Sequence, residues 1–235
     1  MRAAIMQPYL FPYIGYFQLI AAVDHFVIYD RAQYMKGGWI NRNKILNKGS
    51  GEAQLFSFGV ENSAVEISIH DKQWGKKFEL ERKKFLRGLE QNYSKSPHFK
   101  TAFPIIEKCL QFESTSVGEL CGESLITISS YLGLPARFSW SGDYNYNEAD
   151  PAQVKVLAIL DQLKADHYIN SIGGMDLYSK DDFAAKGIQL NFLKAGEISY
   201  DQFNNDFQPF LSIVDVMMFN SAEEIRDLLQ NYELV

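Results

Sequence analysis

The stretch "IMQPYLFPYIGYFQLI", from Ile5 to Ile20, constrains this chain more than any other. It is apolar enough for a core, yet it carries Gln7, Pro8, Pro12 and Gly15. Proline inside a helix removes a backbone donor and clashes with the preceding turn, and a central strand excludes it for the same missing donor. The stretch must therefore break. Residues 3–6 predict a strand, 8–12 a loop, and 14–23 a helix with Ile14, Phe17 and Ile20 or Ala21 on one face. The run "HFVIY" at 25–29 predicts a second strand, without alternation, as in a strand buried on both faces. Strand, loop, helix and strand within about 30 residues form a βαβ unit, which implies a parallel pair.

Further along, two short β-like runs around "VENSA" predict a hairpin over 54–68, and 76–92 predicts a highly charged helix. Helices follow at 102–112 and 117–132; Ser116 and Glu119 give the second a capping-box pattern, and Gly133 with Pro135 ends it. The pattern then predicts a strand at 136–140, a helix from Pro151 to 163, a strand at 167–170, a helix at 179–186 and a strand at 188–193. Helices at 209–219 and 222–232 close the reading, the last capped by Ser221 and Glu224. Strands and helices alternate at both ends around a mainly helical middle. The expected fold is α/β: one domain over 1–235, a Rossmann-like, mainly parallel sheet, with a helical insertion or cap at 72–133.

Composition narrows the function classes. With 235 residues, 46% hydrophobic and 22% charged, the chain can bury a real core. A net charge of -6 argues against a general nucleic-acid binder. Cys109 and Cys121 are too few for a disulfide scaffold and lie in apolar, helix-like surroundings, so they read as buried thiols. Four scattered histidines lack ligand spacing, so no metal site is expected. The opening stretch is too interrupted for a signal h-region or a membrane span, so the expected location is the cytoplasm.

In an open parallel sheet, ligands bind beyond the carboxyl ends of the strands, where the strand order reverses. Three loops follow buried-type strands: "QPYLFPYIGY", "DRAQYMKGGWINRN" and "SIGGMDLY". If the sheet is parallel, they share one edge and one pocket. Gly15 at a helix start would let a phosphate meet backbone N–H groups, with Gln7 and Tyr16 facing the crevice; the alternative is a tight turn packed with aromatics. Asp30 either orients a hydroxyl or amine, and is then the best general-base candidate, or caps the next turn. Lys36 and Arg42 are candidate anion contacts, with Arg offering a bidentate fork. Gln33, Asn41 and Tyr178 are candidate polar contacts, and Trp39 either stacks on a ring or joins the core. Ser171, Gly173 and Gly174 form a candidate phosphate cradle. The sequence holds no GxSxG, P-loop, HExxH or GxGxxG motif.

Residues 5–45 closely resemble the start of the WbqC-like family, and "YINSIGGMDLY", "GIQLNF", "SYDQF" and "FLSIVDVMMFN" resemble its later segments in the same order. The matching positions include Gln7, Gly15, Tyr16, Asp30, Gln33, Trp39, Asn41, Arg42, Gly173, Gly174, Tyr178, Tyr200, Gln202 and Asp215. The resemblance implies a bacterial protein of surface-polysaccharide (O-antigen) biosynthesis, and a transferase moving an acyl or aminoacyl group, glycine included. Its small-molecule substrate would be a nucleotide-linked or phosphorylated amino sugar, with no firmly implied cofactor beyond a nucleotide and its Mg²⁺. A non-catalytic sugar-nucleotide-binding module, or an interaction subunit whose aromatics form a homo-oligomer interface, is the alternative. The start is also similar to nucleotidylyltransferase-like proteins, whose HxGH motif binds nucleotide phosphates; here Tyr13 and Tyr16 stand at both histidine positions. That substitution removes the cationic donors a transferring phosphoryl group needs and leaves nucleotide binding less affected.

Overall fold

A computed structural model describes residues 1–203 and 206–235. Its framework is a six-stranded sheet built from β1 (Arg2–Met6), β2 (His25–Ile28), β5 (Arg137–Trp140), β6 (His167–Ser171), β7 (Gln189–Ala195) and β8 (Tyr232–Leu234). The remaining strands, β3 (Arg42–Leu46) and β4 (Ala53–Ser57), form a separate antiparallel hairpin. The sheet order is β5-β2-β1-β6-β7-β8, parallel throughout except for β8. This is an α/β, Rossmann-like arrangement.

Side chains of each strand alternate between two cores, as the period of 2 requires. Ala4, Phe26, Ile28, Ile169 and Leu193 face the larger core. That core holds α1 (Ile14–Ala21), α3 (Phe99–Leu110), α4 (Val117–Tyr131), α7 (Ile213–Phe219) and α8 (Ala222–Leu228), with part of α2 (Phe78–Tyr93). Ala3, Ile5, Val27, Tyr168, Leu190 and Phe192 face the other, packed against α5 (Ala152–Leu163) and α6 (Lys180–Ala184). Because α1 returns on one face and α5 on the other, the strand order reverses between β1 and β6, and a crevice is expected there.

The prolines of the opening stretch now have a physical account. Leu10 and Phe11 are fully buried, and Phe11 takes a left-handed backbone (φ 49°). The Phe11 carbonyl accepts hydrogen bonds from Asn43 Nδ2 (2.8 Å) and Ser212 Oγ (2.7 Å), and the Pro12 carbonyl accepts one from Ile213 N (2.8 Å). Leu10 N donates to the Ile40 carbonyl (2.8 Å). A loop lacking two N–H groups is thus buried with its backbone groups paired by β3 and the start of α7.

Two expectations are corrected. The hairpin begins earlier than 54–68, because "RNKIL" pairs with "AQLFS". The last predicted helix stops at Leu228, and the chain returns as β8, with Tyr232 opposite Ala195. Ser221 and Glu224 do form a full capping box, whereas Ser116 caps Glu119 N while the Glu119 carboxylate accepts from Ser114 Oγ instead.

The larger core contains a buried carboxylate. Asp215 accepts from Tyr93 Oη (2.5 Å), Tyr200 Oη (2.7 Å) and Gln202 Nε2 (2.9 Å). Burial pushes its carboxyl above the ordinary range, and the three donors pull against that shift. Cys109 and Cys121 are buried free thiols, with Cys109 pushed up to about 12 by burial and Cys121 raised by burial as well. Neither thiol should react with a thiolate-selective reagent at pH 8 until the protein unfolds. Rapid labelling of the folded protein would contradict this packing.

Candidate functional site

Beyond Ile28 the chain keeps to the sheet for one more step, with Tyr29 N donating to the Met6 carbonyl (2.8 Å). It then turns away and pairs antiparallel with the segment 67–70. His70 N donates to the Asp30 carbonyl (2.9 Å), Ile69 N to that of Ala32 (2.8 Å) and Tyr34 N to that of Ile67 (2.8 Å). This pairing sets the His70 ring against Asp30, with Nδ1 2.8 Å from Oδ2. From the far side Ser141, the first residue past β5, donates its Oγ to Asp30 Oδ1 (2.7 Å) and accepts Arg31 N (3.2 Å).

Asp30 is 2% exposed and Ser141 fully buried, while the His70 side chain keeps 30% exposure. Both carboxylate oxygens are occupied, and the accessible group is the imidazole. A carboxylate can only accept, so in the neutral ring Nδ1 carries the proton and Nε2 the lone pair. Among the described residues Nε2 has no hydrogen-bond partner. The backbone beneath the ring is fixed. Ser116 Oγ donates to the His70 carbonyl (2.5 Å), and a Cβ on Gly118 would lie 2.9 Å from His70 Cα. Only glycine lets the start of α4 approach so closely.

Two further groups surround this pair. The Arg31 guanidinium lies against Gly142, with Nε and Nη2 3.6 Å from where a Gly142 Cβ would stand, and makes no ion pair among the described residues. Tyr29 and Tyr146 pack with ring centroids 6.3 Å apart, and Tyr168, Tyr178 and Phe183 continue this aromatic wall on the α5–α6 face. Burial raises the phenol pKa of Tyr29, Tyr146 and Tyr168, so all three remain neutral donors at pH 7. Among the described residues the buried Tyr146 and Tyr168 hydroxyls have no hydrogen-bond partner of standard geometry.

The residues singled out from the sequence divide sharply. Loops at the carboxyl ends of β1, β2 and β6 do leave one sheet edge, since these strands are adjacent and parallel. Gln7, Asp30, Ser171, Gly173 and Tyr178 lie there. Tyr16 is buried and donates to the Gln7 carbonyl (2.7 Å), so it props the loop from beneath instead of facing the crevice. The space above Gly15 is taken by the Tyr13 ring, 2.3 Å from a would-be Cβ, which leaves no room for a phosphate. Gly174 likewise accommodates the Asn170 amide, 2.6 Å from its would-be Cβ, while Gly173 has open space.

Asn41 is buried between Tyr34 Oη (2.8 Å) and the Phe58 carbonyl (2.6 Å), and Gln33 Nε2 donates to the Val65 carbonyl (3.0 Å). Arg42 stacks over the Trp39 ring at 5.4 Å and donates through Nη2 to the Gly37 carbonyl. These contacts serve the 33–42 loop itself, in which Lys36 and Trp39 remain exposed. His70, Arg31, Ser141 and Tyr146 carried no motif. The one available signal was that Asp30 sits at a strand end and a buried carboxylate there needs donors.

Residues 7–227 match the profile of the WbqC-like protein family. The chain belongs to the WbqC-like family. Uncharacterized protein Rv1507c of Mycobacterium tuberculosis is 31% identical over 97% of both chains. No solved structure matches this chain. In this WbqC-like protein no helix among the described residues is long and apolar enough to cross a membrane.

Removing Ser141 Oγ leaves a buried carboxylate oxygen short of one donor. Ser141→Ala should therefore lower unfolding free energy by about 1–3 kcal/mol, the usual penalty for an unsatisfied buried group. Urea denaturation gives the number, and a change below about 0.5 kcal/mol, normal for an unimportant surface position, would show that Ser141 does not support Asp30.

Proposed function

We propose that this WbqC-like protein is a group-transfer enzyme in which His70 is the general base and Asp30 its orienting partner. The observation that carries the reading is the 2.8 Å contact between His70 Nδ1 and a carboxylate whose other oxygen is held by Ser141. Ser141 bonds the carboxylate, not the imidazole, and is fully buried, so it is a positioning residue and no covalent nucleophile. Transfer is then direct. His70 Nε2 takes the proton of a bound hydroxyl or amine, whose lone pair attacks the carbonyl carbon of an acyl or aminoacyl donor. The leaving group departs with the proton that His70 returns. Holding both substrates in attack geometry supplies the rest of the rate.

The acceptor class follows from the surroundings together with the family resemblance. Arg31 offers a fork to a phosphate, and the half-buried Tyr29 and Tyr178 offer ring faces to a sugar, which supports a nucleotide-linked or phosphorylated amino sugar of surface-polysaccharide synthesis. Among the described residues no three His, Cys, Asp or Glu side chains are grouped to hold a metal ion. A magnesium ion accompanying a nucleotide would therefore be held mainly by its phosphates.

Two experiments test the reading. In a screen of sugar nucleotides with acyl and aminoacyl donors, His70→Asn should keep the bond to Asp30 and lose the base. Turnover should fall by about 10²–10⁴-fold, the worth of general base catalysis, with little change in ligand affinity. Undiminished turnover would remove His70 from the chemistry, and stabilising ligands without any turnover in the wild type would favour a binding module. Separately, Arg31→Ala should weaken phosphate-bearing ligands by about 1.5–3 kcal/mol, as for a lost charged hydrogen bond. Arg42→Ala, already committed to Gly37 and Trp39, should leave that affinity unchanged; the opposite ranking would return the anion site to the 33–42 loop.

A further inference from the structure

A cavity of about 650 Å³ lies elsewhere on the molecule, between the start of α1, the exit of β7 with residues 195–200, and residues 207 and 209–211. Its size falls within the range of small-molecule pockets. Tyr13, Ile14, Ile198, Tyr200, Phe207 and Phe210 supply a mostly aromatic lining. Three features of this wall are unexplained by folding alone. Phe210 is 77% exposed and is held in the left-handed region (φ 58°), facing Tyr13 edge-on with centroids 6.4 Å apart. A bulky residue at positive φ costs on the order of 1–3 kcal/mol, and such strain collects at ligand clamps.

Next, the backbone N–H groups of Glu197, Ile198, Ser199 and Tyr200, all lining the cavity, donate no hydrogen bond to the described residues. Last, Gln18 is fully buried on the inner wall. Its Nε2 donates to the carbonyls of Leu228 (3.3 Å) and Asn231 (2.8 Å), which fixes the amide orientation and leaves Oε1 without a partner among the described residues.

We infer that this cavity is a binding site for a planar heteroaromatic molecule whose edge carries both acceptors and an N–H donor. The ring packs against the faces of Tyr13 and Phe210 that line the cavity, in the offset or edge geometry that aromatic pairs favour. Ring acceptors take the free N–H groups of the 197–200 segment, and the ligand's donor supplies the hydrogen bond that Gln18 lacks. An aliphatic ligand would fill the volume and leave these polar groups unsatisfied, which costs more than the contact gains. The inference is independent of the role given to His70, which no residue of this cavity contacts among the hydrogen bonds described.

The test uses the whole chain with adenine, uracil and cyclohexanol as probes, read by saturation-transfer NMR and titration. Adenine or uracil should bind and cyclohexanol should not. Phe210→Ala and Ser199→Trp both change exposed rim positions and should fold as the wild type does. Each should weaken the heteroaromatic probe at least tenfold with the melting temperature unchanged, whereas His70→Asn should leave its affinity intact. Absence of binding by both heteroaromatics, equal binding of cyclohexanol, or affinity untouched by both rim variants would overturn the assignment. Probe-induced shifts of the His70 side-chain resonances, with those of the cavity unmoved, would instead place the probe at the Asp30–His70 pair.

Discussion

The Asp30 carboxylate organises this molecule around itself. A carboxylate 2% exposed is tolerable only with donors on both oxygens, and the two donors come from distant parts of the sequence, 40 and 111 residues further on. Ser141 arrives from β5 at the sheet edge; His70 arrives from the segment that links the β3–β4 hairpin to α2. Meeting that requirement fastens the helical middle of the chain to the carboxyl edge of the sheet. It also turns an ordinary histidine into one with a defined tautomer and an open Nε2. Structural need and the proposed chemistry thus share the same three residues.

The proline loop serves the same edge in a different way. Its buried carbonyls are paired by Asn43, Ser212 and Ile213, and Tyr16 holds the Gln7 carbonyl from below. A rigid wall beside the switch point results, and it leaves no Gly15 phosphate cradle. The same loop ends in Tyr13, which lines the cavity that Phe210 also borders.

Much of the fold was legible because its signals are local. The runs "HFVIY" and "HYIN" lack alternation because both faces are covered, and the α5 and α4 boundaries carry proline, glycine and capping residues. What was hidden depends on pairing across the chain. "RNKIL" looks like a polar loop until "AQLFS" lies beside it, and the terminal strand follows a sequence whose capping box announces only a helix. The site divides along the same line. Asp30 was visible from its place after a strand, but His70 is 40 residues away with no motif, and Arg42 resembles an anion contact until Gly37 and Trp39 occupy it.

The central claim is that Asp30 holds a His70 proton on Nδ1 and leaves Nε2 open. Long-range ¹H–¹⁵N NMR of the histidine side chains reads this directly, with His70→Asn assigning the resonance. At a pH where the ring is neutral, His70 should show a protonated Nδ1 and an unprotonated Nε2, and Asp30→Ala should abolish that preference. A His70 found as the Nε2–H tautomer in the wild type, or unmoved by Asp30→Ala, would contradict the account.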